Sequence, residues 1–440
     1  MAGPQQTPRD HTEPQERVTG GTQTTGGGQG GSNTLSDRPA PPPEPPDLTR
    51  APPDPACPAP PRDLISVFVV TFDLKEGNLL EWSMPKGVAL EGVEFRALIS
   101  GAHTVTSDFI YFRQGDFFGA ACYEKLEILS DVERGVRMKS VGVIVAHYPH
   151  LHPHLPRLAQ LVRCVLQRPG DYSSLEDYYL ARCAPTPPPS GWHAPPRLTP
   201  AAPALPSPPP LHQTIFSGSL NNEGEGEKGP SHLLRTLGEQ VVSLWRASLL
   251  CKRIMFLSEP PIGRVCWWVQ WVWLLGAHST PGLPSSLLRP LYYVSLSDLD
   301  LLAEQHSYVA CTTEKIFEEK NGIYDLYVEG GCVRLSGKHP AITTITAEDR
   351  QRLAALNRKE NLTPADLKAF FQEVNNRIFT ALYRACGMGG TGVLGREELI
   401  EMGLNANEDV VFVRELAATH GFDVVVRSGG VCGCGVCGCC

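Results

Sequence analysis

A chain of 440 residues has room for two or three domains, and a hydrophobic share of 42% is enough to build a core. A formal net charge of −8 gives no electrostatic case for nucleic acid. The most apolar run, Val265–Leu275, falls far short of the ~20 residues a membrane span needs.

The 40 prolines and 42 glycines concentrate in a few places, which predicts disordered stretches between ordered ones. Residues 1–62 are such a stretch, a Pro/Gly-rich arm that cannot bury enough apolar surface to offset its ordering entropy. Its first 30 residues hold no apolar run, so no secretory signal is expected. The protein reads as cytosolic and its 14 cysteines as mostly reduced.

Order is expected to begin at Asp63. DLISVFVVTFD is a β-type run, separated by Gly77-Asn78 from a second strand, Leu79–Met84. Val93–Gly101 spaces Val93, Ala97 and Leu98 as a helix does, with Gly101 as its stop. SDFIYFRQGDFFGAACYEKLE predicts two strands joined around Gln114-Gly115-Asp116, and Met138–Tyr148 a further strand. His154–Gln167 carries Leu155, Leu158, Leu161, Val162 and Val165 on one stripe, and Leu175–Arg182 adds another helix. The pattern describes an α/β module with an antiparallel sheet. Residues 184–230, dominated by proline and then by NNEGEGEKGP, read as a disordered linker.

The second module opens with a helix over His232–Leu250, Ser231 being its expected N-cap. Strand Ile254–Leu257 is cut off by Pro260-Pro261, and the aromatic run Arg264–Leu275 reads as a buried helix. Leu291–Val328 is the most orderly stretch. It predicts a strand (Leu291–Val294), an acidic turn at Asp298 and Asp300, a strand (Tyr308–Cys311), a short helix (Thr313–Lys320) and a strand (Ile323–Val328) after Asn321-Gly322. The last part is helical. A capping box at Thr346–Asp349 precedes Arg350–Leu356, and Thr363-Pro364 opens a helix over Ala365–Cys386. Two shorter helices, Arg396–Met402 and Glu408–His420, and a strand, Phe422–Val426, complete it.

No nucleophile–base pair emerges. Gly224-Glu-Gly226-Glu-Lys-Gly229 and Gly387-Met-Gly389-Gly-Thr-Gly392 match a dinucleotide fingerprint as strings, yet neither follows a strand. Ser336-Gly337-Lys338-His339 lacks the upstream glycine and the Ser/Thr of a phosphate loop. His147, His150, His152 and His154 are interleaved with prolines, which favours a solvated loop over a metal site. Cys122, Cys164, Cys251, Cys266 and Cys311 read as small core residues. The Cys/Gly-rich tail, residues 427–440, could bind a soft metal or carry a lipid, or be an unstructured end; it is not a CaaX box.

KRIMFLSEPPIG (Lys252–Gly263) and SYVACTTEKIFEEKNGIYDLYV (Ser307–Val328) resemble the central region of the DENN domain proteins, most closely the LCHN type. Leu291–Asp300, Asn375–Leu382 and Glu401–Val426 are similar to later segments of that family, so the resemblance covers about Leu64–Tyr179 and Leu233–Val426. It implies a tripartite α/β fold. A longin-like upstream module would lie at residues 63–183, an α/β core DENN module at 231–345 and a helical downstream module at 346–426. It further implies a guanine nucleotide exchange factor for a Rab-type small GTPase in membrane traffic. Such a protein has no covalent chemistry and no cofactor; it grips the GDP-bound or nucleotide-free partner and is recruited from the cytoplasm to endomembranes through its partners. The alternative is a DENN-fold scaffold that binds a GTPase or membrane complex without exchange. Under the resemblance, Asp298, Asp300, Glu314 and Lys315 are the partner-interface candidates. In the competing reading the aspartates cap a helix and the charges form a solvated face.

Overall fold

Seven consecutive buried residues, Leu64–Val70, open the first strand, a run that only a strand covered on both faces can carry. A computed structural model describes residues 63–128, 135–183, 229–359, 362–387 and 391–427. The expected arm, most of the linker, the Cys/Gly tail after Arg427 and parts of both fingerprint strings lie outside the described residues.

In the first half, β1 (Leu64–Asp73) lies between β2 (Gly77–Met84) and β5 (Val136–Val145), antiparallel to both. Helix α1 (Val93–Ala97) follows β2 and stops at Leu98, earlier than expected, because Leu98 is already extended. The hairpin of β3 (Ser107–Gln114) and β4 (Phe117–Glu127) turns at Gly115, whose φ of 60° suits glycine. Helices α2 (Leu155–Gln167) and α3 (Ser173–Arg182) follow, α2 burying the stripe expected of it.

Of the four histidines before α2 only His147 is exposed, so they do not form the solvated loop expected of them. Tyr148–His154 is a 3-10 turn whose apolar members, Tyr148 and Leu151, pull it into the core. His154 is fully buried with Nδ1 2.6 Å from the Tyr178 hydroxyl, and His150 pairs with Asp63. Of the cysteines, Cys122, Cys266 and Cys311 are buried as expected, whereas Cys164 and Cys251 are partly exposed.

The second half begins with two helices where one was expected. Helix α4 (Pro230–Leu237) starts one residue after Gly229, which takes the cap position in place of Ser231. Gly238, at φ 53° and ψ −127°, then breaks the chain before α5 (Gln240–Leu249). Strand β6 (Arg253–Leu257) and the buried helix α6 (Gly263–Leu275) come next, then β7 (Pro290–Tyr293), α7 (Leu299–Glu304), β8 (Tyr308–Thr312), β9 (Leu326–Glu329) and β10 (Cys332–Leu335).

This region differs from its sequence expectation in three places. The acidic turn is a capped 3-10 turn running into α7. The short helix is a 3-10 turn over Lys315–Glu319. The strand expected from Ile323 starts at Leu326, because Asp325 is held by the Arg253 main-chain N–H (2.8 Å) and guanidinium (2.9 Å). Strand β10, joined to β9 through Gly330-Gly331 at φ 57° and 87°, is not expected from the sequence.

β6 pairs in parallel with both β8 and β9, and β7 in parallel with β8. Both halves share one mixed sheet in the order β10-β9-β6-β8-β7-β3-β4-β5-β1-β2. The protein has the α/β fold expected from its sequence.

The C-terminal part is α8 (Pro340–Thr343), α9 (Ala347–Asn357), α10 (Pro364–Ala385), α11 (Arg396–Glu401) and α12 (Val410–Thr419). A short strand not expected from the sequence, β11 (Gly392–Leu394), pairs in parallel with β12 (Val424–Val426). Thr346 and Thr363 make the expected caps, each in a reciprocal box with the aspartate three residues on. Two buried polar clusters fix these helices. Arg246 of α5 lies between Asp349 (2.5 Å) and Asp409 (2.7 Å), all three side chains without solvent exposure. Asn375 of α10 accepts the Trp245 indole N–H and donates to the Leu275 and Ala277 carbonyls, each at 2.8 Å, closing the end of α6. Among the described residues no helix is long and apolar enough to cross a membrane.

The two halves of the sheet meet between β3 and β7, where one residue pair, Phe112 and Tyr292, is in register. Asp108 of β3 crosses this seam to cap α6, accepting the Ile262 N–H at 2.5 Å and the Gly263 N–H at 3.1 Å. Gly263 is required there, since a Cβ would stand 2.5 Å from the Phe109 carbonyl oxygen. His152 stacks on Trp267 of α6 at 5.1 Å.

Two predictions follow from these buried groups. Asn375→Ala orphans one indole N–H and two carbonyls, so its urea midpoint should fall by the equivalent of about 3 kcal/mol or more at unchanged m. The second concerns pH. Burial pushes the Asp108 carboxyl up to about 6 against the N–H donors that pull it down. Its favourable contribution is complete below the ordinary carboxylate range and is lost as pH rises through 6. Burial pushes the His152 imidazole down to about 4. Its contribution is complete above the ordinary histidine range and is lost as pH falls through 4. The two oppose each other between these limits. In denaturant titrations across that window, His152→Gln should make stability fall more steeply with rising pH than wild type, by up to about 1.4 kcal/mol per pH unit. Asp108→Asn should shift the slope in the opposite sense.

Candidate functional site

In an open sheet with parallel strands, ligands and partners are met at the carboxyl ends of those strands. Here that edge is built by the segments leaving β6, β7 and β8. The segment after β6 is fixed by the Ser258 N–H, which donates to the Thr312 carbonyl at 3.1 Å, and by Asp108.

The segment after β7 turns sharply at Ser295. The Ser295 main-chain N–H donates to Asp298 Oδ2 at 2.9 Å, completing a capping box for the 3-10 turn Leu296–Asp298. Asp298 Oδ1 receives Arg96 of α1, through Nε at 3.0 Å and through Nη2. The third arm of the same guanidinium, Nη1, donates to Gln114 Oε1 at 2.7 Å, and the Gln114 amide donates to the Glu91 carbonyl at 3.1 Å. A polar chain therefore crosses the seam above β3 and β7, from the loop before α1 to the turn after β7.

It continues to β8. The Leu296 N–H donates to Glu314 Oε2 at 2.7 Å, and the Glu314 N–H to Thr312 Oγ1 at 3.2 Å. Burial pushes the Glu314 carboxyl up, the Leu296 N–H pulls it down and the neighbouring Asp298 charge adds to the rise. Phe317, fully buried, anchors the following turn, while Lys315, Ile316, Glu318, Glu319 and Asn321 line an open hollow of about 710 Å³.

The sequence-derived candidates fall into different environments. Asp298 is buried, its side chain without solvent exposure, and both oxygens are engaged inside the protein, so in this conformation it shapes the surface from beneath. Glu314 is half-buried and joined to the same turn. Asp300, exposed on the first turn of α7, and Lys315, exposed at the start of its 3-10 turn, face solvent.

Sequence reasoning missed Arg96, Gln114 and Asp108, whose partners lie far along the chain. It also passed over three apolar side chains that this network leaves in solvent: Phe95 beside Arg96, Leu296 in the capped turn and Ile316 after Lys315, each 41–43% exposed. Solvent-facing apolar side chains on rigidly bonded turns, rimmed by charge, are suited to seating another protein. Nothing in the arrangement pairs a nucleophile with a base.

Comparison with known proteins bears on the same segments. The family model for DENN domain-containing protein 11 matches residues 67–332, which include both sides of the seam. The chain is 36% identical over 380 residues to DENN domain-containing protein 11 of Mus musculus, covering 82% of each. It is 37% identical over 380 residues to the protein of that name from Danio rerio, covering 82% of this chain and 76% of the relative. A more distant match, 23% identical over 364 residues, is the uncharacterized protein ANR2 of Saccharomyces cerevisiae. A match spanning the sheet from β1 to the start of β10, with relatives of such identity and coverage, places this chain in the DENN domain-containing protein 11 family.

Proposed function

We propose that this protein is a guanine nucleotide exchange factor, which promotes GDP-to-GTP exchange on a Rab-type small GTPase by seating it on the edge formed by the turns after β7 and β8. The observation that carries the reading is the pairing of exposed apolar side chains, Leu296 and Ile316, with a buried polar chain that holds their turns in place. Membership of a DENN family supports it. Exchange requires a surface that binds the nucleotide-poor partner better than the GDP-bound one, so the whole effect is differential binding and no catalytic dyad is needed.

In this reading the residues divide as a longin-like module at 63–183, a core module at 231–345 and a helical module at 346–426, with the GTPase meeting the first two at their junction. Asp300 and Lys315 rim the apolar contacts and steer encounter rather than carry affinity. The protein works from the cytoplasm and reaches endomembranes through its partners.

Release of fluorescent GDP from a panel of purified Rabs tests this directly. The full chain should accelerate release from at least one Rab. Leu296→Asp and Ile316→Asp should each cut that acceleration about tenfold or more, because each places a charge in the contact core. Thermal midpoints should stay close to wild type, since both positions are exposed. A Rab that binds without acceleration would convert the reading into a scaffold; a panel that neither binds nor responds would end it.

A further inference from the structure

Resting on that reading, we propose that Arg96 is a positioning residue for exchange: gripping Asp298 and Gln114 together, it holds the turn after β7 so that Leu296 is preset to meet the GTPase.

Arg96 and Asp298 are 202 residues apart in sequence and belong to opposite sides of the β3–β7 seam. The Arg96 side chain is 15% exposed and the Asp298 side chain 0%, so the pair is shielded from solvent. Breaking such a pair leaves an uncompensated buried charge, which makes its geometry far stiffer than that of a surface ion pair. The guanidinium fork is used on two sides. Nε and Nη2 reach one carboxylate oxygen, and Nη1 reaches an amide that is itself tied to the main chain before α1. A lysine ammonium has neither the fork nor the reach to serve both.

The other carboxylate oxygen of Asp298 takes the Ser295 N–H, and the next N–H along, that of Leu296, is held by Glu314. Rotation of the Asp298 carboxylate therefore loosens Ser295, then Leu296, then the Glu314 link to β8. The Arg96 guanidinium donates its hydrogen bonds to Asp298 and Gln114, inside the protein. Its effect on the partner passes through the turn, which is what defines positioning.

The test compares wild type, Arg96→Lys and Gln114→Met on a Rab that the wild-type chain accelerates. Gln114→Met keeps volume and leaves the ion pair intact, so it serves where Arg96→Lys lowers the yield of folded protein. Two quantities are read: the exchange rate at saturating protein against the half-saturating concentration, and amide hydrogen exchange at Ser295–Asp298 in the protein alone. The expected result for Arg96→Lys is a maximal rate about tenfold lower and Leu296 amide exchange at least tenfold faster, with distant core amides unchanged. Gln114→Met should move both in the same direction by a smaller factor.

Leu296 protection equal to wild type in both variants overturns the proposal, as does exchange kinetics within twofold of wild type despite a loosened turn. A Rab panel silent towards the wild-type chain overturns the exchange reading and this inference with it. A panel that answers the wild-type chain and Arg96→Lys equally overturns this inference alone.

Discussion

Tyr292 is held at φ 60°, a backbone conformation that side-chain-bearing residues rarely adopt, and the continuity of the sheet depends on it. It sits where the register of β7 on β8 shifts, between Pro290 and Tyr292, and it is the residue of β7 that faces β3. Strain of this kind costs about 1–3 kcal/mol and persists only when the surroundings over-determine it. They do so here. The ring lies flat on Tyr148 at 5.0 Å and 2°, its hydroxyl donates to Gln270 Oε1 at 2.7 Å, and it is buried. The aromatic stack joins the turn before α2 to β7, so the first half of the chain fixes the backbone of the second.

One register pair supplies too little ladder to join two halves of a ten-stranded sheet. The junction rests instead on contacts that cross it at several heights. Asp108 caps α6 from β3, Trp267 of α6 lies edge-on to Tyr111 of β3 at 5.6 Å, and Arg96 reaches Asp298 at the carboxyl edge. Two of the three are ionised or helix-end interactions, which are directional where apolar packing is not. A buried ion pair adds little net stability compared with an apolar replacement, yet it selects one arrangement over its neighbours. That trade suits a seam where two halves of one sheet join through a single register pair. The Arg246 cluster with Asp349 and Asp409 does the same for α5, α9 and α12, away from the proposed surface.

What could be read from the sequence was local. The caps at Thr346 and Thr363, the β3–β4 hairpin, the stripe of α2 and the buried aromatic helix each announce themselves within a few residues. The break at Gly238 and the turn at Gly330-Gly331 were legible in principle, since both rest on glycine conformations; a continuous apolar stripe and a short, half-exposed strand hid them. The seam was illegible. Asp108 meets Ile262 across 154 positions, and nothing in SDFIYF marks its one carboxylate as the cap of a distant helix. The sequence marks Asp298 in its turn but not its direction: the residue pattern of a capping box is the same whether the free carboxylate oxygen faces solvent or an arginine 202 positions away.

That ambiguity has a physical consequence for the surface itself. A carboxylate exposed at a strand end would offer a partner one charge that salt screens and water competes for. A carboxylate turned inward offers none, but it fixes the main chain of Ser295, next to the Leu296 N–H held by Glu314, and an apolar side chain stands in solvent there. Presetting that side chain reduces the ordering cost of association, which in a marginal interface decides affinity more than buried area does. Under the proposed function, the acidic turn would serve recognition by being used up inside the protein.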